Sequence, residues 1–259
     1  MPSISLSDGC SLHYAWDDFT APWGQAETVL FIHGNSEDSR AWFGWVPYFA
    51  RDYRLLRPDW RGYGQSTPMP LDYAWSLDTL ADDFAALLAA LRIEHCHVVG
   101  AKIGGAIAMH FAARKPAFVQ SLTVIGSPVS GQHLAGQNLG GEEIETQGPE
   151  AFYRRTMAAR LGPAMPKAAI DYWIDYMSAA PRSTLLGFNR ALPKIDVRSD
   201  LPHIACPTLV VIGDSGGIVD SVDSVKQWQQ TIPQSELLVI RSDSSMEKGS
   251  TPCPACFRR

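Results

Sequence analysis

Apolar positions along this chain fall into two rhythms, and the rhythms alternate. Short continuous apolar runs, such as TVLFI at residues 28–32, have the form of strands buried on both faces. Similar runs predict strands at 53–57, 95–100, 119–125, 207–212 and 236–240. Residues 4–6 and 11–16 read as a strand pair joined at Asp8-Gly9. Helical spacing is clearest over 76–92, where Leu77, Leu80, Phe84, Leu87, Leu88 and Leu91 share one face and Ser76 is placed to cap it. Helices are also expected at 39–53, at 103–115 before Pro116, and at 221–231.

Strand–helix alternation with buried strands predicts an α/β protein with a mostly parallel, doubly wound sheet. After Ser127 the pattern changes. Gly, Gln and Glu dominate up to Pro149, and three helical pieces follow near 150–161, 166–179 and 181–192. They carry Phe152, Tyr153, Met157, Tyr172, Trp173, Tyr176 and Met177. The division expected is a core over 1–127, a helical cap insertion over 128–200, a second core part over 201–242, and an atypical tail over 243–259. Ligands of such sheets bind at the carboxyl ends of the strands, so the insertion is expected to roof the site. Its aromatic residues either line that site or only pack the insertion onto the sheet.

The 259 residues suit one large α/β domain, and 46% hydrophobic with 19% charged residues is ordinary globular composition. A net charge of −5 without a basic run argues against nucleic acid and anionic membranes as partners. No apolar run approaches the roughly 20 residues of a membrane helix. Five scattered cysteines and an N-terminus without a signal-peptide pattern lead to the expectation of a cytoplasmic protein. No cofactor is expected. Cys253-Pro-Ala-Cys256 is a lone C-x-x-C without a second ligand pair, so no metal is expected either.

Three motifs carry chemistry. His33-Gly34-Asn35 follows the buried strand at 28–32. Asp59-Trp60-Arg61-Gly62-Tyr63-Gly64-Gln65-Ser66 follows the next strand. Gly100-Ala101-Lys102-Ile103-Gly104-Gly105 joins a strand to a helix. In this order and spacing the chain resembles the α/β-hydrolase superfamily, in the branch with a helical cap, over about 28–240. That resemblance implies the fold, while the fold itself hosts esterases, C–C hydrolases, epoxide hydrolases, dehalogenases, lyases and non-enzymes. By the same resemblance, Gly100 and Gly104 frame a nucleophile elbow with Lys102 where the family has its nucleophile. The oxyanion hole maps to the backbone N–H groups of Ile103 and Asn35, with Gly34 shaping the loop.

The rest of the family triad does not map. Gly216 stands where the acid is expected, and Asp214 and Asp220 lie nearby but displaced. Either is a candidate for the catalytic acid or an ordinary loop carboxylate. The family histidine follows the last strand, and no histidine follows His203 here. Of the seven present, His133 is the one considered near the site. Lys102 itself has two readings. The helix N-terminus and burial would favour a neutral amine, able to act as nucleophile or base. Alternatively it is a charged plug paired with Asp214, Asp220 or the Asp59 loop.

Three functional readings stand at this point. One is an enzyme acting on a small, largely apolar carbonyl or acyl substrate through Lys102. Another is a catalytically inactive protein that binds a ligand or a partner. The last is an ester or C–C bond hydrolase with an unaligned base. The tail SDSSMEKGSTPCPACFRR has no helical period, and Pro252 and Pro254 forbid a helix there. The helix with which the family closes the sheet is therefore expected to be missing, replaced through a frameshift. An uncovered apolar face would then favour a homodimer. The coding DNA decides this: a histidine followed by an apolar-periodic helix in another frame near codon 243 is expected, and no such reading frame refutes it.

Overall fold

Strand β3 (Thr28–Ile32), buried at all five positions, is the centre from which the sheet is built. The structure, a computed structural model, describes residues 2–135, 139–162, 165–214 and 221–241. Within them β1 (Ser3–Ser5), β2 (Ser11–Asp17), β3, β4 (Arg54–Pro58), β5 (Cys96–Ala101), β6 (Val119–Ile125), β7 (Thr208–Gly213) and β8 (Ser235–Ile240) form one sheet. Its order is β1-β2-β4-β3-β5-β6-β7-β8. β1 and β2 pair antiparallel, β2 joins β4 antiparallel, and all later pairs are parallel. The α/β-hydrolase architecture expected from the sequence is the one found.

Side-chain alternation along β3 divides the core. Leu30 and Ile32 join a cluster with Leu80, Phe84, Leu87, Ile107 and Phe111. These come from α2 (Leu77–Ala90) and α3 (Ile103–Arg114), helices numbered after the one-turn α1 (Val46–Phe49). Val29 and Phe31 face the other way, against Trp42 and Trp45. Burying apolar side chains on both faces explains the continuous run.

Chain connectivity fixes where a site can lie. β3 is flanked by β4 on one side and β5 on the other, so the chain reverses its winding there. Such a switch point leaves a crevice at the carboxyl ends of the strands. His33 follows β3 and Lys102 follows β5, with Ile32 and Gly100 opposite each other in register.

Between β6 and β7 come α4 (Gly141–Gln147), α5 (Pro149–Leu161), α6 (Lys167–Ser178) and α7 (Arg182–Ala191). They share a core of their own, with Phe152, Tyr153, Met157, Trp173, Tyr176 and Met177 buried together. Tyr172 is exposed. α8 (Val222–Gln229) precedes β8.

Local expectations differ from the structure in three places. The helix expected at 39–53 is a 3-10 turn over Ser39–Trp42 and the single turn α1. Trp42 and Trp45 turn inward onto Phe31, with ring centroids 4.9 and 6.0 Å away, and Pro47 cannot donate to a longer helix. Ser76 precedes α2 in extended backbone but makes no side-chain cap bond. α4 forms in the Gly-, Gln- and Glu-rich stretch where no helix was expected, and Ile144 is wholly buried in the core of the insertion. Among the described residues no helix is long and apolar enough to cross a membrane. Gly216, Asp220, Cys253, Cys256 and the tail from 242 onward lie outside the described residues.

Candidate functional site

Lys102 is the single residue between β5 and α3, with φ 56° and ψ −130°. Side chains rarely adopt this backbone conformation, which costs about 1–3 kcal/mol and collects at functional sites. Its amide donates to Ile125 O at 3.0 Å, and its carbonyl accepts from Gly105 N at 3.0 Å. The neighbouring glycines are required by space. A Cβ on Gly100 would lie 2.5 Å from Gly104 O, one on Gly104 would overlap the carbonyl oxygens of Ile32 and His33, and one on Gly105 would overlap Ser127 Oγ. Gly105 was not singled out from the sequence. The first turn of α3 therefore rests directly on the loop that leaves β3.

That loop supplies the carboxylate at the site. Lys102 Nζ donates to Glu37 Oε1, and Glu37 Oε2 accepts from Gly34 N at 2.8 Å. The Glu37 side chain is 4% exposed and that of Lys102 29%. A Cβ on Gly34 would lie 2.9 Å from Glu37 Oε2 and 3.1 Å from the Lys102 Cδ, so the lysine stem lies across this glycine. The contact resembles the paired reading of Lys102, with Glu37 in place of the carboxylates considered from the sequence. Repulsion from the helix terminus is worth about 0.3–1 kcal/mol. Attraction between opposite charges at about 4 Å is roughly 4 kcal/mol at an effective dielectric of 20.

The Asp59 carboxylate has other partners. It accepts from His13 Nδ1 at 2.8 Å, Ser39 N at 2.6 Å and Gln65 N at 2.8 Å. Asp214 sits just past β7, its amide donating to Ile240 O at 2.8 Å. His133 falls in the 3-10 turn Gln132–Leu134, and its side chain lies outside the described residues.

The DWRGYG segment holds the loop in place. Trp60 stacks on His33 at 5.3 Å and donates from Nε1 to His33 O at 3.0 Å. Trp60 N donates to His33 Nε2 at 3.3 Å, while His33 Nδ1 donates to Gly34 O at 2.8 Å. This pattern is that of a neutral imidazole, and burial pushes the His33 ring below its ordinary value. Arg61 is anchored to Asp83 at 2.7 and 2.8 Å. Tyr63 donates to Asn35 Oδ1 at 2.5 Å.

The insertion grips the same loop from above. Tyr153 donates to Ser36 Oγ, and Ser36 has φ 64°. Tyr176 accepts from Asp38 N at 2.7 Å and donates to Asp38 O at 3.1 Å. Asn35 Nδ2 donates to Asn189 Oδ1 at 2.8 Å. Burial pushes Tyr153 up to about 12, so both hydroxyls remain proton donors. Asn35 N makes no backbone hydrogen bond among the described residues, and Ile103 is the first residue of α3, where an N–H has no partner within the helix. Asn35 follows Gly34, against which the Lys102 stem lies, and Ile103 follows Lys102 in the chain.

Sequence reading missed Glu37, Ser36 and Asn189, and it named Tyr63, Tyr153 and Tyr176 without their partners in the loop after β3. Glu37 carried a usable signal, an acidic residue three positions after Gly34 in the loop facing the elbow. The insertion residues carried none, because their partners are 117 to 154 residues away in sequence.

Two outcomes follow for stability. Lys102→Met strands a buried carboxylate and is expected to cost about 3 kcal/mol in urea unfolding. The double variant Lys102→Met/Glu37→Gln should recover much of that loss; additive losses would show the pair to be uncoupled. For His33, the unfolded ring near 6.5 takes up its proton before the folded one. Its contribution is therefore full above about pH 6.5 and is lost as pH falls toward the depressed folded value, by at most about 1.4 kcal/mol per pH unit. Urea midpoints should fall over that range, and His33→Gln should flatten the slope.

Residues 27–141 match the family model described as alpha/beta hydrolase fold. A putative carbamate hydrolase RutD from Pseudomonas syringae pv. syringae is 27% identical over 244 residues, covering 88% of this chain and 90% of the relative. A pimeloyl-[acyl-carrier protein] methyl ester esterase from Aeromonas hydrophila subsp. hydrophila is 27% identical over 85% of this chain and 89% of its own. The enol-lactonase structure from Burkholderia xenovorans LB400 superimposes with a TM-score of 0.82 at 20% identity, covering 92% of this chain and 91% of that one. Sheet order, elbow and these likenesses agree: the chain is an α/β-hydrolase-fold protein.

Proposed function

We propose that this protein takes a small, largely apolar carbonyl or acyl compound at a site centred on Lys102, and holds it without forming an acyl-enzyme. The observation that carries this reading is the ion pair between Lys102 and buried Glu37. Acyl transfer at an elbow needs a nucleophile with a base beside it. Here the elbow side chain is tied as a cation to a carboxylate, which leaves no lone pair for attack. The oxyanion hole is a backbone device and does not depend on the elbow side chain. In this reading Asn35 N–H and Ile103 N–H are the donors that receive the oxygen. Relatives bear the names putative carbamate hydrolase, methyl ester esterase and enol-lactonase, which supports the compound class.

A second reading keeps turnover, with a base from the segments beyond the described residues, where Asp220 belongs. Short p-nitrophenyl esters separate the two. Binding without turnover above the uncatalysed rate is expected, and Lys102 should stay unlabelled by borohydride in the presence of simple aldehydes. Ester turnover that survives Lys102→Ala would favour the second reading. Labelling of Lys102 would restore a nucleophilic amine.

A further inference from the structure

We infer that a hollow beside Arg54 is a binding site separate from the Lys102 turn, and that it takes a small zwitterion, a free α-amino acid with an apolar side chain. Arg54 opens β4 and pairs with Thr28 at the amino ends of the parallel strands, whereas Lys102 follows the carboxyl end of β5. The two places are therefore at opposite ends of the sheet.

The loop over residues 18–27 is pinned at both ends. Phe19 N donates to Ala50 O at 3.0 Å, and Arg54 N donates to Glu27 O at 2.9 Å. Between these, Gly24 N closes a turn on Ala21 O at 2.9 Å. Asp18, Thr20, Pro22, Gly24 and Arg54 are among the residues that line a hollow of about 540 Å³, a volume suited to a small molecule. Opposite charges that share a hollow normally pair, yet Arg54 Nε is enclosed without any hydrogen-bond partner. The carboxylates nearest in sequence are committed elsewhere. Asp17 accepts from Arg57 Nε at 2.7 Å, and Glu27 accepts from Gln120 Nε2 at 2.6 Å and faces His97 Nε2 at 3.2 Å. The Arg54 guanidinium lies over the Trp16 ring, 6.0 Å from its centroid. Stacking of this kind leaves the in-plane N–H groups for a carboxylate. Asp18 is half used: Thr20 N at 3.0 Å and Thr20 Oγ1 at 2.7 Å both donate to Oδ1, and Oδ2 has no partner among the described residues. Those bonds, with Arg54 adding at longer range, hold the Asp18 carboxyl below its ordinary value, so it is charged at neutral pH. A simple anion would be repelled by Asp18 and a simple cation by Arg54. A ligand that carries both charges completes both groups, its carboxylate on Arg54 and its ammonium on Asp18. Trp23, 89% exposed, stands between Pro22 and Gly24 of the lining and offers apolar surface to the ligand's side chain.

The test compares L-leucine with its two partial analogues, 4-methylpentanoate, which lacks the amine, and 3-methylbutylamine, which lacks the carboxylate. Each is titrated calorimetrically into the full chain at low salt near neutral pH. Leucine is expected to bind at least about tenfold tighter than either analogue. Arg54→Met should abolish its advantage over the amine, and Asp18→Asn its advantage over the acid, with both variants confirmed folded by circular dichroism. Asp18→Asn keeps an oxygen for Thr20, so the loop retains its local bonds while losing the charge. Binding of either analogue as tightly as leucine would overturn the zwitterion assignment. An advantage of leucine that is unchanged in both variants would overturn the location, because the charges would be recognised elsewhere. Failure of leucine to bind would overturn the inference as a whole.

Discussion

The first turn of α3 rests on the carbonyl ends of β3, and everything at the site follows from that contact. No side-chain atom fits between Gly104 and the oxygens of Ile32 and His33. Two segments from different strands are thereby held at backbone distance. One carries Lys102 in a conformation fixed by the strand-to-helix turn. The other carries Glu37 three residues beyond Gly34. Once the backbones are this close, a lysine stem laid across Gly34 reaches Glu37 without further adjustment.

The loop between β3 and Asp38 has little regular structure, so its shape depends on outside partners. Trp60 and Tyr63 hold it from the sheet side, and Tyr153, Tyr176 and Asn189 hold it from the insertion. Buried hydroxyls and amides need partners, which makes each of these contacts costly to lose. The backbone of this loop is therefore over-determined, which is what a residue at φ 64° such as Ser36 requires.

A half-buried ion pair adds little net stability, because desolvation consumes most of the Coulomb gain. Its effect is better described as specification. Neither partner can be removed alone without leaving an uncompensated charge.

The sheet, its mostly parallel order and the positions of the elbow and loop were legible in the sequence. Continuous apolar runs and glycines at tight approaches are local consequences of backbone geometry, and TVLFI or Gly100–Gly104 read the same in isolation as in the fold. The helix at 39–53 was misread because Trp42 and Trp45 answer to Phe31 across the core rather than to their own neighbours. The lysine partner was sought among Asp214, Asp220 and the Asp59 loop. Asp59 is occupied by His13 and two backbone amides, and Asp220 lies outside the described residues. The sequence by itself determined that a lysine stands in a tight strand-to-helix turn, because the glycine frame is a local signature. Only the tertiary structure decided that this lysine meets Glu37, since a side-chain contact across 65 positions depends on how two loops are brought together.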